Sequence, residues 1–236
     1  MTYPTTSPTI APTFGYADLP ILIARMTGDE KHDPAAASTL DVLWVLYDRV
    51  LRVTPSTAED PDRDRFLLSK GHGPQAYFAI LAAKGFFPLE WLDGFATFES
   101  PLGHHPDRLL VPGVEISSGS LGHGLPLGVG LALGLRAQGR DARVVVLVGD
   151  AELDEGTNAE AIAYARAAGL GHLTVIVVDN RSSTHGWPGG IAARFAVEGW
   201  LTEEVDGRDH DALEAALCKT HPDRPGVVVA IVGAKR

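Results

Sequence analysis

Two apolar, β-branched runs, residues 144–148 (VVVLV) and 173–178 (LTVIVV), constrain this chain most; an alanine-rich helical pattern separates them, and Asp150 and Asn180 close them. Such short continuous runs read as strands buried on both faces, and the helix between them completes a strand–helix–strand unit. A right-handed crossover lays the two strands parallel, so Asp150 and Asn180 emerge at one carboxyl edge of a sheet. A hard cation such as Mg²⁺ takes oxygen ligands in an octahedron and commonly keeps phosphate oxygens among them. A carboxylate, an amide oxygen and a nearby backbone carbonyl therefore make a clamp for a metal-bound diphosphate. Asp and Asn also end strands because they suit turns, so the pair needs support from the rest of the chain.

The composition permits this architecture. At 236 residues, with 45% hydrophobic and 21% charged, the chain can bury a core on both faces of one sheet. The expected fold class is α/β, a parallel sheet flanked by helices on both faces. A formal net charge of −10 with no gathered basic run speaks against nucleic acid and anionic membranes as partners. It does not exclude a diphosphate, because a bound cation and helix amides set the local potential. Cys218 is the only cysteine, so no internal disulfide can form, which fits a reducing cytoplasm. No apolar run approaches membrane-spanning length, and the first residues lack a basic start and an apolar stretch. We expect a cytoplasmic, unexported protein with a tail over residues 1–17 and a single domain over residues 18–236.

Along the chain, residues 18–27 carry one helical face, and Gly28 and Pro34 predict a loop after it. Leu40, Leu43, Trp44, Tyr47 and Leu51 have helical spacing, with Trp44 and Tyr47 as core residues. Residues 54–65 read as a surface connection, residues 75–84 as a helix, and residues 86–98 as loosely helical. Residues 124–135 read as a helix despite Gly128, Gly130 and Gly134, a density that predicts close packing against another helix or a subunit. The crossover helix is expected over residues 157–168. A helix end at residues 195–200, a short strand within 201–209, a helix over 211–219 and a strand over 226–232 follow.

Several motifs occur in an order that resembles the amino-terminal half of the transketolase family. Gly149-Asp150 with Asn180 thirty positions later resembles the thiamine diphosphate motif. His32, in HDPAAAS, stands where the family has His-Pro-Gly-Gly-Ser; His32 and Ser38 keep the pattern. Leu68-Ser69-Lys70-Gly71-His72 looks like the family's Leu-Ser-Lys-Gly-His signature. In Gly103-His104-His105-Pro106-Asp107, His105 matches the family's histidine while His104 replaces a glycine. Either the loop path differs there or His104 adds a substrate contact. A transition-metal site at these adjacent histidines lacks a third ligand at suitable spacing. Ser118-Gly119-Ser120-Leu121-Gly122-His123-Gly124 resembles the loop that touches the aminopyrimidine, where close backbone approach requires glycine.

The resemblance implies substrate or proton handling by His32, His72 and His105. It implies cofactor contacts from His72, Gly119, Ser120, Leu121, Gly149, Asp150, Ala151, Glu155, Asn180 and His185. Asp150, Asn180 and the Ser182 carbonyl would hold Mg²⁺, or Ca²⁺ or Mn²⁺ in its place. Ala151 departs from the family's Gly-Asp-Gly, and its amide can reach a phosphate if its φ is negative. Glu155 fits a glutamate near the subunit interface, and Trp187 lies with His185 in the loop after Asn180. The family's Lys-Gly-Lys-Gly segment and later histidine do not follow the strand over 226–232. The resemblance thus implies the amino-terminal subunit of a two-component transketolase, paired in an α2β2 assembly with a separate carboxyl-terminal, pyrimidine-binding subunit. Together they would move a two-carbon ketol unit from a ketose to an aldose, on sugar or sugar-phosphate substrates. A related thiamine diphosphate enzyme with another acyl or ketol acceptor, and a non-catalytic binding or scaffold subunit, stay open.

Overall fold

The computed structural model describes residues 14–29, 32–184 and 186–233, so most of the expected tail, and His185, lie outside the described residues. Five strands, β1 (Arg65–Leu68), β2 (Val144–Gly149), β3 (Leu173–Asp179), β4 (Leu201–Asp206) and β5 (Gly226–Ile231), form one sheet in the order β1-β2-β3-β5-β4. Every pairing is parallel, as the crossover unit requires. Seven helices accompany them: α1 (Leu19–Ile23), α2 (Asp33–Val45), α3 (Gln75–Ala83), α4 (Gly124–Ala137), α5 (Gly156–Ala167), α6 (Gly190–Val197) and α7 (His210–Leu217).

Strand alternation builds two cores. Val145, Leu147, Ile176, Val178, Val228 and Ala230 face one side and pack with α1, α2, α3 and α7. Val144, Val146, Val148, Val175, Val177, Val227 and Val229 face the other and pack with α4, α5 and α6. Crossover handedness explains the division. The steps β2 to β3 and β3 to β4 run the same way across the sheet and put α5 and α6 on one face; the step back from β4 to β5 puts α7 on the other.

Several boundaries differ from expectation. The loop predicted around Pro34 is in fact the first turn of α2, which starts at Asp33 with Pro34 inside it, where a missing N–H costs nothing. The helix anticipated over 18–27 shortens to α1, and the segment over 86–98 holds only a short 3-10 helix, Leu89–Gly94. The glycines of α4 divide. A Cβ at Gly128 would come within 2.4 Å of Val146, so helix and sheet meet there, but Gly130 and Gly134 face open space among the described residues. Residues 14–17, assigned to the tail, are part of the fold: Phe14 and Tyr16 pack on the core, and Tyr16 donates its hydroxyl proton to buried Asp41 at 2.6 Å. His210 Nε2 lies 2.9 Å from the same carboxylate, which ties α7 to α2.

A second buried carboxylate organises the amino edge of the sheet. Asp64 accepts hydrogen bonds from the backbone N–H of Arg52 and of Arg143, each at 3.0 Å. The two guanidinium groups approach its oxygens to 2.9 and 2.8 Å. No helix among the described residues is long and apolar enough to cross a membrane.

Candidate functional site

The loops leaving the carboxyl ends of β1, β2 and β3 lie side by side, because the register pairs Leu68 with Leu147 and Gly149 with Val178. Such an edge is where parallel sheets hold their ligands. At the tip of β2, Asp150 is buried, and its backbone N–H donates to the Val178 carbonyl at 3.1 Å. Its carboxylate accepts from Ala151 N at 2.9 Å, from Ser182 N and Ser182 Oγ at 2.6 Å each, and from Ser183 N at 3.1 Å. The segment after β3 is therefore folded onto Asp150. Ser182 reaches Asp150 through its amide and hydroxyl. Asp154 extends the attachment by accepting from Ser183 Oγ at 3.1 Å and Thr184 Oγ1 at 3.2 Å. Arg181, at φ 57°, takes a left-handed backbone conformation that gives the loop its sharp exit from the strand.

Asn180 behaves differently. Its side chain is 2% exposed, and neither Oδ1 nor Nδ2 has a hydrogen-bond partner. Buried amides are almost always paired, since an unmet one costs about 1–3 kcal/mol. An unpaired amide oxygen on the strand next to a buried carboxylate is the donor set that a hard cation takes. The residues present thus fit the expected metal, with the rotatable Ser182 hydroxyl as the contact that yields most readily. No cluster of three His, Cys, Asp or Glu side chains among the described residues offers an alternative, and the adjacent His104 and His105 make none.

The predicted histidines also assemble. The rings of His32 and His72 lie 5.6 Å apart and those of His72 and His105 4.7 Å apart, in edge-on contact. Burial, then His105, His32 and Lys70 nearby, push the His72 imidazole below its ordinary value, and burial with His104 and His32 does the same to His105. Both are therefore neutral at physiological pH, able to donate from one nitrogen and accept at the other. Gly119 backs this cluster at φ 134°, and a Cβ there would stand 2.7 Å from the His105 ring. Ser120 and Leu121 follow in an exposed stretch, with Leu121 38% exposed. Gly149 accommodates the stem of Lys70, whose Nζ donates to the Ala35 carbonyl at 3.0 Å. Ala151 is not among the described non-glycine residues with positive φ, which leaves its amide the conformation anticipated for it. Glu155 is exposed and lies against Gly122.

Two residues at the centre were missed from sequence. Asp29 holds His32 Nδ1 at 2.7 Å. Glu152, 1% exposed, accepts from Ser69 Oγ, from Gly122 N at 2.9 Å and from Gly149 N at 3.4 Å, while Ser69 Oγ accepts from Gly124 N at 3.0 Å. One carboxyl group thereby joins three loops that leave different parts of the chain. Burial raises its pKa, against the opposing pull of Ser69 and the two amides. Its place in the run 152–155, with Asp154 and Glu155, made it look like one more surface acid. Glu152→Ala would strand the Ser69 hydroxyl and two backbone amides, and chemical denaturation should show a loss of about 2–4 kcal/mol.

Residues 27–234 match the family described as transketolase, thiamine diphosphate binding domain. A protein named ferredoxin fas2, from Rhodococcoides fascians, is 60% identical over 93% of this chain and 72% of its own length. A protein of Actinobacillus succinogenes, named as one of the subunits of an apulose-4-phosphate transketolase, is 35% identical over 84% of this chain and 75% of its own. Among solved structures, a mutant transketolase from Pichia stipitis superposes with a TM-score of 0.79 at 28% identity, covering 92% of this chain and 35% of that one. The transketolase from Leishmania mexicana gives 0.74 at 26%, over 87% and 37%. This chain spans little more than a third of the length of those solved transketolases.

Proposed function

Given that this chain belongs to the transketolase family, we propose that it is the subunit that holds the Mg²⁺-bound diphosphate of thiamine diphosphate in a two-component ketol transferase. The observation that carries the reading is the buried, unpaired amide of Asn180 on the strand next to Asp150. Asp150, Asn180 and the Ser182 backbone would hold the cation, and Gly149 and the Ala151 amide would face the diphosphate. Gly119, Ser120 and Leu121 would border the pyrimidine side, with Glu155 and His185 contributing from the neighbouring loops. Bound thiamine diphosphate supplies a carbanion able to cleave the bond beside a ketose carbonyl. The chain's own part is to seat the substrate and manage its protons: His32, His72 and His105 present ring nitrogens to sugar hydroxyls, and neutral His72 and His105 exchange protons near physiological pH.

The naming of one relative supports a partner, since the Actinobacillus succinogenes protein is named as a component of a transketolase made of more than one kind of chain. The face of α4 supports it too. Leu121 and Leu127 are exposed beside the open Gly130 and Gly134, and Tyr164 of α5 is 54% exposed. We assign this face to a pyrimidine-binding subunit, in an α2β2 assembly acting on sugars or sugar phosphates in the cytoplasm. The ferredoxin in one relative's name does not carry over to these residues, because Cys218 alone cannot ligate an iron–sulfur cluster.

Mixing decides the reading. With thiamine diphosphate, Mg²⁺, a ketose and an aldose, the isolated chain should show no turnover and the chain plus its partner should show ketol transfer. Full activity of the chain alone would contradict the need for a partner; cofactor binding by neither would contradict the reading itself.

A further inference from the structure

Asp29 belongs to none of the motifs, yet two of the site's histidines converge on it. Its side chain is 1% exposed, with Oδ1 2.7 Å from His32 Nδ1. Oδ2 is buried without a well-formed hydrogen bond, and His104 Nδ1 stands 3.4 Å from it. Burial works against ionisation here, but the His32 and His104 contacts outweigh it and hold the carboxyl below its ordinary value. An ionised carboxylate only accepts, so the ring nitrogen facing it must carry the proton. That assigns the Nδ1–H tautomer to His32 and leaves a lone pair on Nε2. The His32 ring lies edge-on to His72, inside the cluster. His104 has the same Nδ1 turned to the same carboxylate, its side chain is 53% exposed, and its neighbour in sequence, His105, lies against His72.

We propose that Asp29 is the positioning residue of the histidine cluster, fixing the Nδ1–H tautomer of His32 and drawing His104 into the same orientation, so that both Nε2 lone pairs accept from hydroxyls of the bound sugar. The proposal deepens the ketol-transfer reading and rests on it. It assigns His104, which stands in a glycine's place, to substrate discrimination: a ring nitrogen that needs a donor favours a hydroxyl-bearing acceptor over one lacking it. Asp29 touches no substrate and acts through the two rings.

Long-range proton–nitrogen NMR of the full chain reads the tautomer directly, with the His32 signals assigned through His32→Gln. Protonation of His32 at Nδ1 is expected; protonation at Nε2 in the unmodified chain would overturn the proposal without any variant having to fold. With the partner subunit, fructose 6-phosphate as donor and glycolaldehyde as acceptor, Asp29→Asn should lower kcat about 10- to 100-fold with little change in donor KM. His104→Gly should instead raise acceptor KM roughly three- to tenfold at unchanged kcat. Unchanged kinetics in both variants would overturn the proposal. Calorimetry of thiamine diphosphate on the unmodified assembly separates the two levels, since absent binding defeats the ketol-transfer reading while the NMR result still decides the tautomer.

Discussion

Asn180→Ala should abolish Mg²⁺-dependent binding of thiamine diphosphate while leaving the empty chain at least as stable as the parent. The two halves of this expectation have one cause. In the ligand-free chain the Asn180 amide is buried and bonded to nothing, so its removal deletes an unmet polar group and breaks no hydrogen bond. Relief of about 1–3 kcal/mol is offset in part by lost packing, for a net change between zero and about 2 kcal/mol in favour of the variant. The loss of an oxygen ligand should weaken cofactor binding by at least about 100-fold in calorimetry with Mg²⁺ present. Denaturation and calorimetry on one preparation report both. A destabilised variant that still binds would show that Asn180 is a structural residue with a partner inside the fold.

Asp64→Ala has the largest expected effect on stability and should leave the cofactor edge intact. Asp64 is completely buried at the far edge of the sheet, and it receives two backbone amides and two guanidinium groups. Replacement strands the donors, and breaking a buried pair of this kind costs about 3–5 kcal/mol. Arg52 is more than half exposed and recovers water, so we expect the lower end, about 3 kcal/mol, in urea or thermal unfolding. The pH dependence follows from the same contacts. Burial would raise the pKa of Asp64, but the hydrogen bonds from Arg52 and Arg143 prevail and take it from 3.8 to about 2. A carboxyl whose folded-state value lies below its unfolded one stabilises fully above about pH 4, and that stability drains away as pH falls through about 2. Asp64→Ala should therefore flatten the acid limb of the stability profile, and an unaltered acid limb would refute this role.

Much of the fold could be read from residue order, because the strands of a doubly covered parallel sheet are continuous apolar runs. Residues 144–148, 173–178 and 226–232 announced themselves for that reason, and their tips carried Asp150 and Asn180 to one edge as expected. Pro34 misled because proline both breaks helices and opens them, and only the tertiary setting of α2 separates the two. The glycines of α4 misled in part for a similar reason. Gly128 records a contact within the chain, whereas Gly130 and Gly134 meet nothing among the described residues.

The site was legible where single residues carry recognisable chemistry, and opaque where residues work through one another. His32, His72 and His105 could be named one by one, and the structure groups them. Asp29 and Glu152 could not. Asp29 sits three positions before His32, a spacing that fits a local contact but is common, and its approach to His104 joins segments far apart in the chain. Glu152 lies in an acidic run where nothing local separates the buried acid from the exposed ones. The attachment of Ser182 to Asp150 through its amide and hydroxyl was likewise invisible, since a sequence shows which oxygens are present and not which way a loop has turned.

The most direct measurement of the central claim is anomalous diffraction from crystals of the assembled subunits grown with thiamine diphosphate and Mn²⁺ in place of Mg²⁺. One manganese peak at bonding distance from both Asp150 and Asn180, with the diphosphate on its far side, is the predicted result. A diphosphate bound with no cation touching either residue, or a cation seated elsewhere, would contradict it.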